Sequence, residues 1–324
     1  MPLSLNNITK TIDNRTILND VSFEVGDGEI FGIFGPTSSG KSALLSVVAG
    51  KKQADGGAVS YNGQDISQLN ADDRPCSMPV PNTESVWRTL FRTERPSSIA
   101  DGEVQFVAFR TAVDKAPGIL LLDNSFCDMD SRLRQTAFDG MRRAAGERGL
   151  AVVFATSDYE EVLLACDRVG VLIDGKLRQV GIPADVYESP ADAAVAAVIG
   201  RVNLFAARRL TSSKAEIPEY QTVDGEHRLY TRKIERTGLA PINQPVTLGI
   251  RPEHVSISFG ASFPEDNIIR ATLERVKFLG PYTLVEFDAG GLKIEAMVPR
   301  LVGLSVGEEC MVGLPPERLM IFKD

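Results

Sequence analysis

The segment that decides the fold is Glu29–Ser42, with the sequence EIFGIFGPTSSGKS. Its first half is an apolar run that predicts a buried strand, and an apolar helical segment follows at Ser42–Val48. Between them, a loop fits the pattern G-x-x-x-x-G-K-[ST] at every fixed position through Gly35, Pro36, Thr37, Ser38, Ser39, Gly40, Lys41 and Ser42. A chance turn rich in glycine and serine would not be expected between a buried strand and a helix, so the pattern predicts a phosphate-binding loop.

The residue types in this loop suit phosphate chemistry. The glycines let the backbone wrap around a phosphate, so that N–H groups and the helix N-terminus point at it. Lys41 is expected to reach the β- and γ-phosphates, and Ser42 to offer its hydroxyl to Mg²⁺. A second apolar run, Ile119–Leu122, ends in Asp123, which is placed to bind Mg²⁺ through water. The sequence therefore predicts a site for a nucleotide phosphate chain and Mg²⁺, with Ser42 and Asp123 as the metal-binding residues.

The chain divides into two regions with different sequence patterns. In the first, apolar runs such as Ala151–Ala155 alternate with helix-like segments, which is typical of a parallel α/β sheet. Val169–Ile173, followed by Asp174-Gly175, predicts an edge strand that enters a hairpin turn. In the second region, alternating strands broken by glycine and proline predict a small all-β barrel or sandwich. The predicted domains are residues 1–200 and 201–324.

Composition narrows the functional classes. The chain has 324 residues and a formal net charge of −8, all of it carried by residues 1–200, which argues against nucleic acid as a partner. The four cysteines are scattered without a C-x-x-C pair, which fits reduced thiols in a cytosolic protein better than a disulfide framework or a zinc site. No signal-peptide pattern opens the sequence, and no apolar run approaches the roughly 20 residues of a membrane span. Any work at a membrane is therefore expected to depend on partners.

The order of motifs resembles the nucleotide-binding subunits of ATP-binding-cassette (ABC) transporters. The phosphate loop, the Ile119–Asp123 strand and the turn Thr156-Ser157-Asp158 follow one another as in that family. In the second domain, Leu248–His254 (LGIRPEH) resembles the signature of a β-rich regulatory domain of the TOBE or OB-like type. The resemblance is closest to the sugar- and polyol-importer subunits related to the maltose system, and it covers nearly the whole chain.

This resemblance implies a fold, cofactors and partners. It predicts an α/β P-loop NTPase cassette with a mixed, largely parallel sheet, a reduced helical subdomain and a C-terminal all-β domain. It implies that the phosphate loop and Asp123 bind ATP and Mg²⁺. It further implies transmembrane permease subunits, a second ATPase subunit and, indirectly, a periplasmic or extracellular solute-binding protein. The expected location is peripheral, on the cytoplasmic side of the cell membrane, in an importer for a sugar, polyol or related small solute.

Two catalytic positions depart from the family pattern. The family's catalytic glutamate should follow Asp123 directly, but Asn124 stands there, and an amide cannot accept the proton of an attacking water. The family's switch histidine should stand at Ser157. Misalignment cannot supply it, because the only histidines are His227 and His254, both in the second domain. We therefore predict no catalytic residue in this chain.

Three further features of the family are missing. Its Leu-Ser-Gly-Gly-Gln signature aligns with Ile99–Glu103, where only Gly102 matches. No glutamine lies near Met78, where the family uses one to sense Mg²⁺ and the permease, and most of the helical subdomain that should follow is absent. The aromatic residue that stacks on adenine should lie near Ile12, but the first aromatic residue of the chain is Phe23.

Three functions remain open from the sequence. The favoured one is a catalytically impaired, nucleotide-binding importer subunit that works as a scaffold beside a complete ATPase subunit in a heterodimer. The second is an active ATPase subunit, which the phosphate loop and Asp123 support. The third is a soluble nucleotide-dependent regulatory or interaction protein, which the loss of the helical subdomain supports because membrane subunits usually dock there.

Overall fold

The structure is a computed structural model, and it describes residues 3–79, 101–210, 218–232, 241–258 and 267–323. The chain forms two units, which divide between Glu188 and Ser189. The sequence pattern predicts a division near residue 200 instead. The difference arises because the segment before residue 200 is held within the second unit, where the Arg251 guanidinium donates hydrogen bonds to the carbonyl oxygen of Ala196 at 3.0 Å and to that of Arg201 at 2.9 Å.

The elements of the first unit, in chain order, are β1 (Leu3–Ile12), β2 (Arg15–Val25), β3 (Ile30–Phe34), α1 (Lys41–Val48), β4 (Gly56–Tyr61), β5 (Gln64–Asp65), a 3₁₀ turn (Ala71–Asp73), β6 (Cys76–Ser77), α2 (Asp101–Lys115), β7 (Ile119–Asp123), α3 (Ser131–Arg148), β8 (Ala151–Thr156), α4 (Tyr159–Ala165), β9 (Arg168–Ile173), β10 (Lys176–Gly181) and α5 (Pro183–Glu188).

Two sheets build the first unit. Strands β2, β1, β4 and β5 form an antiparallel sheet in that order, and β10, β9, β3, β8, β7 and β6 form the second sheet. In the second sheet all neighbours are parallel except β10, which returns antiparallel to β9. Strands β3 and β8 are buried along their whole length, as expected for parallel strands covered on both faces. The predicted mixed, largely parallel sheet is therefore confirmed.

One strand was placed wrongly by the sequence pattern. Val169–Ile173, expected at the edge of the sheet, belongs to β9 and lies between β10 and β3. The predicted hairpin turn is present, with positive φ at Asp174 (48°) and Gly175 (73°). The strand that returns from this turn, β10, takes the edge position, and its residues alternate between exposed and half-buried.

The carboxyl ends of β3, β7 and β8 lie side by side at one edge of the parallel sheet. The register pairs Phe34 with Thr156 and Asp123 with Ala155. Because parallel strands all run in the same direction, the loops that leave them begin next to one another. The phosphate loop, the residue after Asp123 and the residue after Thr156 therefore start from one place in the fold.

The elements of the second unit are α6 (Ala193–Val198), β11 (Asn203–Arg209), β12 (Glu219–Thr222), β13 (Arg228–Tyr230), β14 (Pro245–Ile250), a 3₁₀ turn (Pro252–His254), β15 (Ser256–Ser258), β16 (Asn267–Phe278), β17 (Thr283–Ala289), β18 (Leu292–Val298), β19 (Glu309–Leu314) and β20 (Met320–Lys323).

These strands form two antiparallel sheets, in the orders β13-β12-β11-β14-β20 and β15-β19-β16-β17-β18. Their apolar side chains share one core, in which Tyr220, Leu248 and Phe287 are fully buried. The predicted all-β second domain is confirmed. In the described residues of both units, no helix combines the length and apolar character needed to cross a membrane.

Candidate functional site

The phosphate loop takes a fixed backbone shape between β3 and α1. Ser38 and Gly40 have positive φ angles of 67° and 106°, and Gly40 stands directly before α1. A Cβ atom on Gly35 would lie 2.0 Å from the carbonyl oxygen of Leu172, and one on Gly40 would lie 2.7 Å from the carbonyl oxygen of Ile17. Both glycines are therefore required by close backbone packing, and the loop is built into the core of the unit.

The Lys41 ammonium is held inside the curve of this loop. Its Nζ donates to the carbonyl oxygens of Gly35 at 2.7 Å and Pro36 at 2.8 Å, with the Ser39 hydroxyl at 3.5 Å. The Lys41 side chain is buried, and this burial lowers its pKa, although the negative charge of Asp123 opposes the shift. A phosphate oxygen near this ammonium would find a positive charge already in place.

Asp123 ends β7 with a carboxylate oxygen that has no protein partner. Its Oδ1 atom is buried and accepts no hydrogen bond from the described residues. A buried, unsatisfied carboxylate oxygen is costly unless a ligand or bound water satisfies it. Ser42, at the start of α1, is exposed and offers a hydroxyl. A carboxylate and a hydroxyl are oxygen ligands of the kind that Mg²⁺ prefers, so these residues fit the predicted ion. If Mg²⁺ were bound, Ser42 and Asp123 would hold it, and it would supply positive charge to offset the negative charge of a phosphate chain.

A cavity of about 340 Å³ opens at the loop. Its lining residues are Ile17, Thr37, Ser38, Ser39, Gly40, Lys41, Ser42, Ala43, Asn124 and Ser157. The structure thus brings the two positions predicted to have lost their catalytic groups to the side of the phosphate loop. Gly35, Pro36 and Asp123, which were also predicted to bind the nucleotide or its ion, are not among the residues that line this cavity.

Asn124 and Ser157 are both exposed at the ends of their strands. Asn124 has a positive φ of 42°, and its backbone N–H donates to the carbonyl oxygen of Ala155 at 2.9 Å. Its side chain is an amide, and the hydroxyl of Ser157 is no base at neutral pH. Among the described residues that line the cavity there is neither a carboxylate nor an imidazole. The described lining residues therefore offer groups for a phosphate chain and, among themselves, no side chain that takes a proton from water.

The loop that carries Ser157 keeps a buried polar support that sequence reasoning missed. The Thr156 hydroxyl donates to Glu161 Oε2 at 2.6 Å and accepts from the Asp158 N–H at 3.0 Å. Arg134 of α3 lies 3.5 Å from Glu161 Oε1. Burial raises the pKa of Glu161, and the Thr156 hydrogen bond opposes that shift. The sequence feature that could have indicated this support is an acidic residue, Glu161, next to the apolar Val162 on a short helix.

The start of α2 includes part of the segment that the sequence predicts to align with the family signature. Ile99 and Ala100, together with the rest of residues 80–100, where the helical subdomain was predicted to be shortened, lie outside the described residues. Gly102 is buried, and a Cβ atom there would lie 2.5 Å from the carbonyl oxygen of Asp128. Asp101 and Glu103 are exposed in the first turn of α2, where their negative charges oppose the attraction of a helix N-terminus for an anion.

The position predicted for the family's adenine-stacking residue does not line the cavity. Ile12 is half-buried at the end of β1 and is not among the residues that line the cavity, whereas Ile17 of β2 is. Ile12 was expected here because it lies near the position of the family's adenine-stacking aromatic residue. Ile17 could have been found only from the fold, which places β2 against the phosphate loop.

Comparison with known proteins extends the assignment along the chain. The ABC transporter family model matches residues 18–85, and the TOBE domain model matches residues 248–322. The spermidine/putrescine import ATP-binding protein PotA of Hahella chejuensis is 30% identical over 297 residues, which cover 81% of this chain and 80% of the relative. The sulfate/thiosulfate import ATP-binding protein CysA 1 of Chromobacterium violaceum is 29% identical over 360 residues, which cover 95% and 94%.

The fold also has a solved counterpart. A nucleotide-free ATP-binding cassette from an ABC transporter superposes with a TM-score of 0.53 at 17% identity, covering 62% of this chain and 99% of that chain. The cassette architecture of the first unit is thus shared with a known structure. The identity of 30% across 80% of the PotA relative shows that the chain belongs to the family of ABC transporter ATP-binding subunits that carry a TOBE domain.

Proposed function

We propose that this chain is a nucleotide-binding subunit of an importer, that it binds ATP with Mg²⁺, and that it does not hydrolyse ATP by its own side chains. It works as a scaffold beside a complete ATPase subunit. The observation that carries this proposal is the composition of the cavity. Lys41 and the loop provide the groups for a phosphate chain, whereas Asn124 and Ser157 occupy the strand ends from which a base and a switch histidine would act.

A second ATPase subunit follows from the geometry of the family's dimer. In that dimer each nucleotide lies between the phosphate loop of one subunit and the signature of the other. Two copies of this chain would form two sites without a base, each facing the acidic first turn of an α2 helix. A complete partner would bring one base and one intact signature. Both composite sites would still be altered, because each of them contains one part from this chain. The site that uses the partner's own phosphate loop would keep its base.

The import assignment comes from the relatives. The names of two of them specify import of spermidine/putrescine and of sulfate/thiosulfate, while the motif pattern resembles sugar and polyol importers. We propose a small hydrophilic solute, with a sugar or polyol as the first class to test. The chain would act at the cytoplasmic face of the cell membrane, together with permease subunits and, indirectly, a solute-binding protein. The net negative charge of its first 200 residues argues against a nucleic-acid partner.

One observation favours the alternative of a nucleotide-dependent regulator without a permease. The alignment with the CysA 1 relative spans 360 residues, more than the 324 of this chain, so the relative contains segments that this chain lacks. The shortened connection between β6 and α2 falls where the family docks its permease. Loss of that docking segment would leave a protein that still binds ATP.

Co-purification tests the two alternatives. The full chain is tagged in its own organism, membranes are solubilised in detergent, and the captured proteins are identified by mass spectrometry. We expect a permease and a second cassette protein that carries glutamate and histidine at the positions of Asn124 and Ser157. Recovery of the chain alone from both membrane and soluble fractions contradicts the importer proposal. Recovery with a non-membrane partner supports the regulator.

A further inference from the structure

Arg74 is a buried residue that contacts the carboxyl end of α1, the helix that begins with Lys41 and Ser42. Its Nη1 atom donates to the carbonyl oxygens of Val47 at 2.7 Å and Val48 at 2.8 Å. These groups belong to the last turn of α1, where carbonyl oxygens have no partner within the helix. Arg74 therefore holds the end of α1 that lies opposite the phosphate loop.

The Arg74 guanidinium is also held by the segment that precedes it. Its Nε atom donates to the carbonyl oxygen of Leu69 at 3.1 Å, and its Nη2 atom donates to that of Ser67 at 2.7 Å. Gly50 leaves room for this arrangement, because a Cβ atom there would lie 2.6 Å from Arg74 Nε. Hydrogen bonds from a planar, charged donor group fix direction as well as distance. The guanidinium thus joins the end of α1 to residues 67–74.

The chain that follows Arg74 leads directly to the strand that carries Asp123. The Ile119 N–H donates to the carbonyl oxygen of Pro75 at 2.9 Å, and β6 then pairs in parallel with the start of β7. Asp123 is the last residue of β7. Arg74 is therefore a polar link between α1, which carries Ser42 near its start, and the strand that ends in Asp123.

Apolar packing alone does not fix α1 along its axis. The buried side chains of α1 share one core with Ile119 and Leu121 of β7. The hydrophobic effect is non-directional and depends on the buried area, which a small shift of the helix along its axis barely changes. The hydrogen bonds of Arg74 oppose such a shift because they weaken when their length and angle change. A shift would move Ser42 and the phosphate loop together, relative to Asp123.

We propose that Arg74 is a positioning residue for the metal end of the nucleotide site. It holds α1 against β7 so that the Ser42 hydroxyl and the Asp123 carboxylate can bind one Mg²⁺ together. Arg74 lies at the other end of α1, so it acts through the helix and not on the ligand. This inference rests on the proposed function, since it requires that the loop binds a nucleotide. It goes further, because it assigns a role to a residue outside the cavity.

The test measures ATP affinity by titration calorimetry on the full chain, once with Mg²⁺ in excess and once with EDTA. Arg74→Met keeps the apolar stem and removes every donor. We expect the affinity for ATP with Mg²⁺ to fall about 10–100-fold, as when other supports of metal ligands are removed, and the affinity without Mg²⁺ to fall less than about threefold. The same factor in both conditions, or no loss in either, overturns the inference and leaves nucleotide binding standing. Absence of ATP binding by the wild-type chain overturns the proposed function as well.

Arg148→Met is the matched control. Arg148 donates to the carbonyl oxygens of Val113, at 2.6 Å, and Ala116, at the carboxyl end of α2. It makes the same kind of contact as Arg74, but on a helix that does not carry the phosphate loop. We expect its ATP affinities to equal those of the wild type, with and without Mg²⁺. A loss specific to Mg²⁺ that is as large as in Arg74→Met would show a general effect of destabilisation and contradict the inference.

Arg74→Lys serves if the loss of every donor prevents folding. Its ammonium still reaches the carbonyl groups of α1, but it lacks the planar fork that also binds Ser67 and Leu69. We expect a folded protein, checked by its urea midpoint, with a loss of affinity that is specific to Mg²⁺ and smaller than in Arg74→Met. Wild-type affinities in both conditions would show that the link through Arg74 does not position the site.

Discussion

The phosphate loop and the two strand ends beside it line the same cavity, but the fold holds them differently. In the loop, Lys41 and Ser39 are buried, and Gly35 and Gly40 are packed against backbone oxygens. At the strand ends, Asn124 and Ser157 are exposed and pack into no core. A change at Gly35 or Gly40 is expected to disturb folding, whereas a change at the strand ends is expected to alter chemistry at little cost in stability. Phosphate binding and hydrolysis can therefore be lost separately in one fold.

The largest effect is expected when the two strand ends are restored. In the proposed complex with a complete ATPase subunit, the partner's own phosphate-loop lysine is replaced by alanine, so that only the site using this chain's loop can turn over. We expect the double substitution Asn124→Glu and Ser157→His to raise the rate of phosphate release by up to about 10²–10⁴-fold, which is the factor that a general base contributes. Asn124→Gln with Ser157→His is the matched control and should stay near the wild-type rate. A wild-type chain as fast as the restored one would show that hydrolysis never depended on these positions.

A smaller but still large effect is expected in the loop itself. Gly35→Ala places a methyl group 2.0 Å from the carbonyl oxygen of Leu172, a backbone atom that cannot rotate away. We expect the free energy of unfolding to fall by at least about 3 kcal/mol, measured by urea denaturation. Gly146→Ala, in α3 with open space around its Cβ, is the control and should gain about 0.5–1 kcal/mol from helix propensity. Equal stabilities for the two variants would contradict the close packing of the loop.

Removal of the loop's positive charge tests its role in binding. In Lys41→Ala, the phosphate chain loses a charged hydrogen-bond donor that the carbonyl groups of Gly35 and Pro36 hold in place. A hydrogen bond to a charged group contributes about 1.5–3 kcal/mol, so the dissociation constant for ATP should rise roughly 10- to 150-fold in equilibrium dialysis. Lys52→Ala removes an exposed lysine and should leave the affinity unchanged. Equal ATP affinities for wild type and Lys41→Ala would exclude the loop as the binding site.

The smallest expected effect concerns the support beneath Ser157. Burial raises the folded-state pKa of Glu161 above the 4.5 of the unfolded chain. The contribution of Glu161 to stability is therefore fully present below pH 4.5 and is lost as the pH rises through the folded-state pKa. Glu161→Gln keeps an oxygen to accept from Thr156 and removes this titration. We expect its stability relative to wild type to increase as the pH rises through the folded-state pKa of Glu161.

Urea midpoints measured from pH 4.5 upward check this expectation. Glu160→Gln, at an exposed neighbouring position, controls for the loss of one negative charge. A stability difference between Glu161→Gln and wild type that does not change with pH would show that the support does not titrate. In that event Glu161 would support the loop through its hydrogen bond from Thr156 and its ion pair with Arg134, without a titration of its own.

The local motifs were predictable because their geometry is local. Eight consecutive residues, Gly35–Ser42, specify the turn, its positive φ angles and the start of α1, and the structure has them in that form. The strand that ends in Asp123 was likewise evident from its apolar run. The prediction that Asn124 and Ser157 stand at the family's catalytic positions is likewise local, because each position was taken from its distance to the end of its strand. None of these inferences needed a contact between distant parts of the chain.

The sequence by itself therefore determined the class of the fold and the identity of the phosphate loop, and it predicted that Asn124 and Ser157 stand where the family has two catalytic residues. Only the tertiary structure decided which residues share the cavity. Strand order brings Asn124 and Ser157, far apart in sequence, to the loop, and β2 places Ile17 there in preference to Ile12. The same packing buries Glu161 beneath Thr156 and puts β10 at the edge of the sheet. The physical reason is that turn geometry depends on neighbouring residues, whereas strand order depends on burial across the whole sheet.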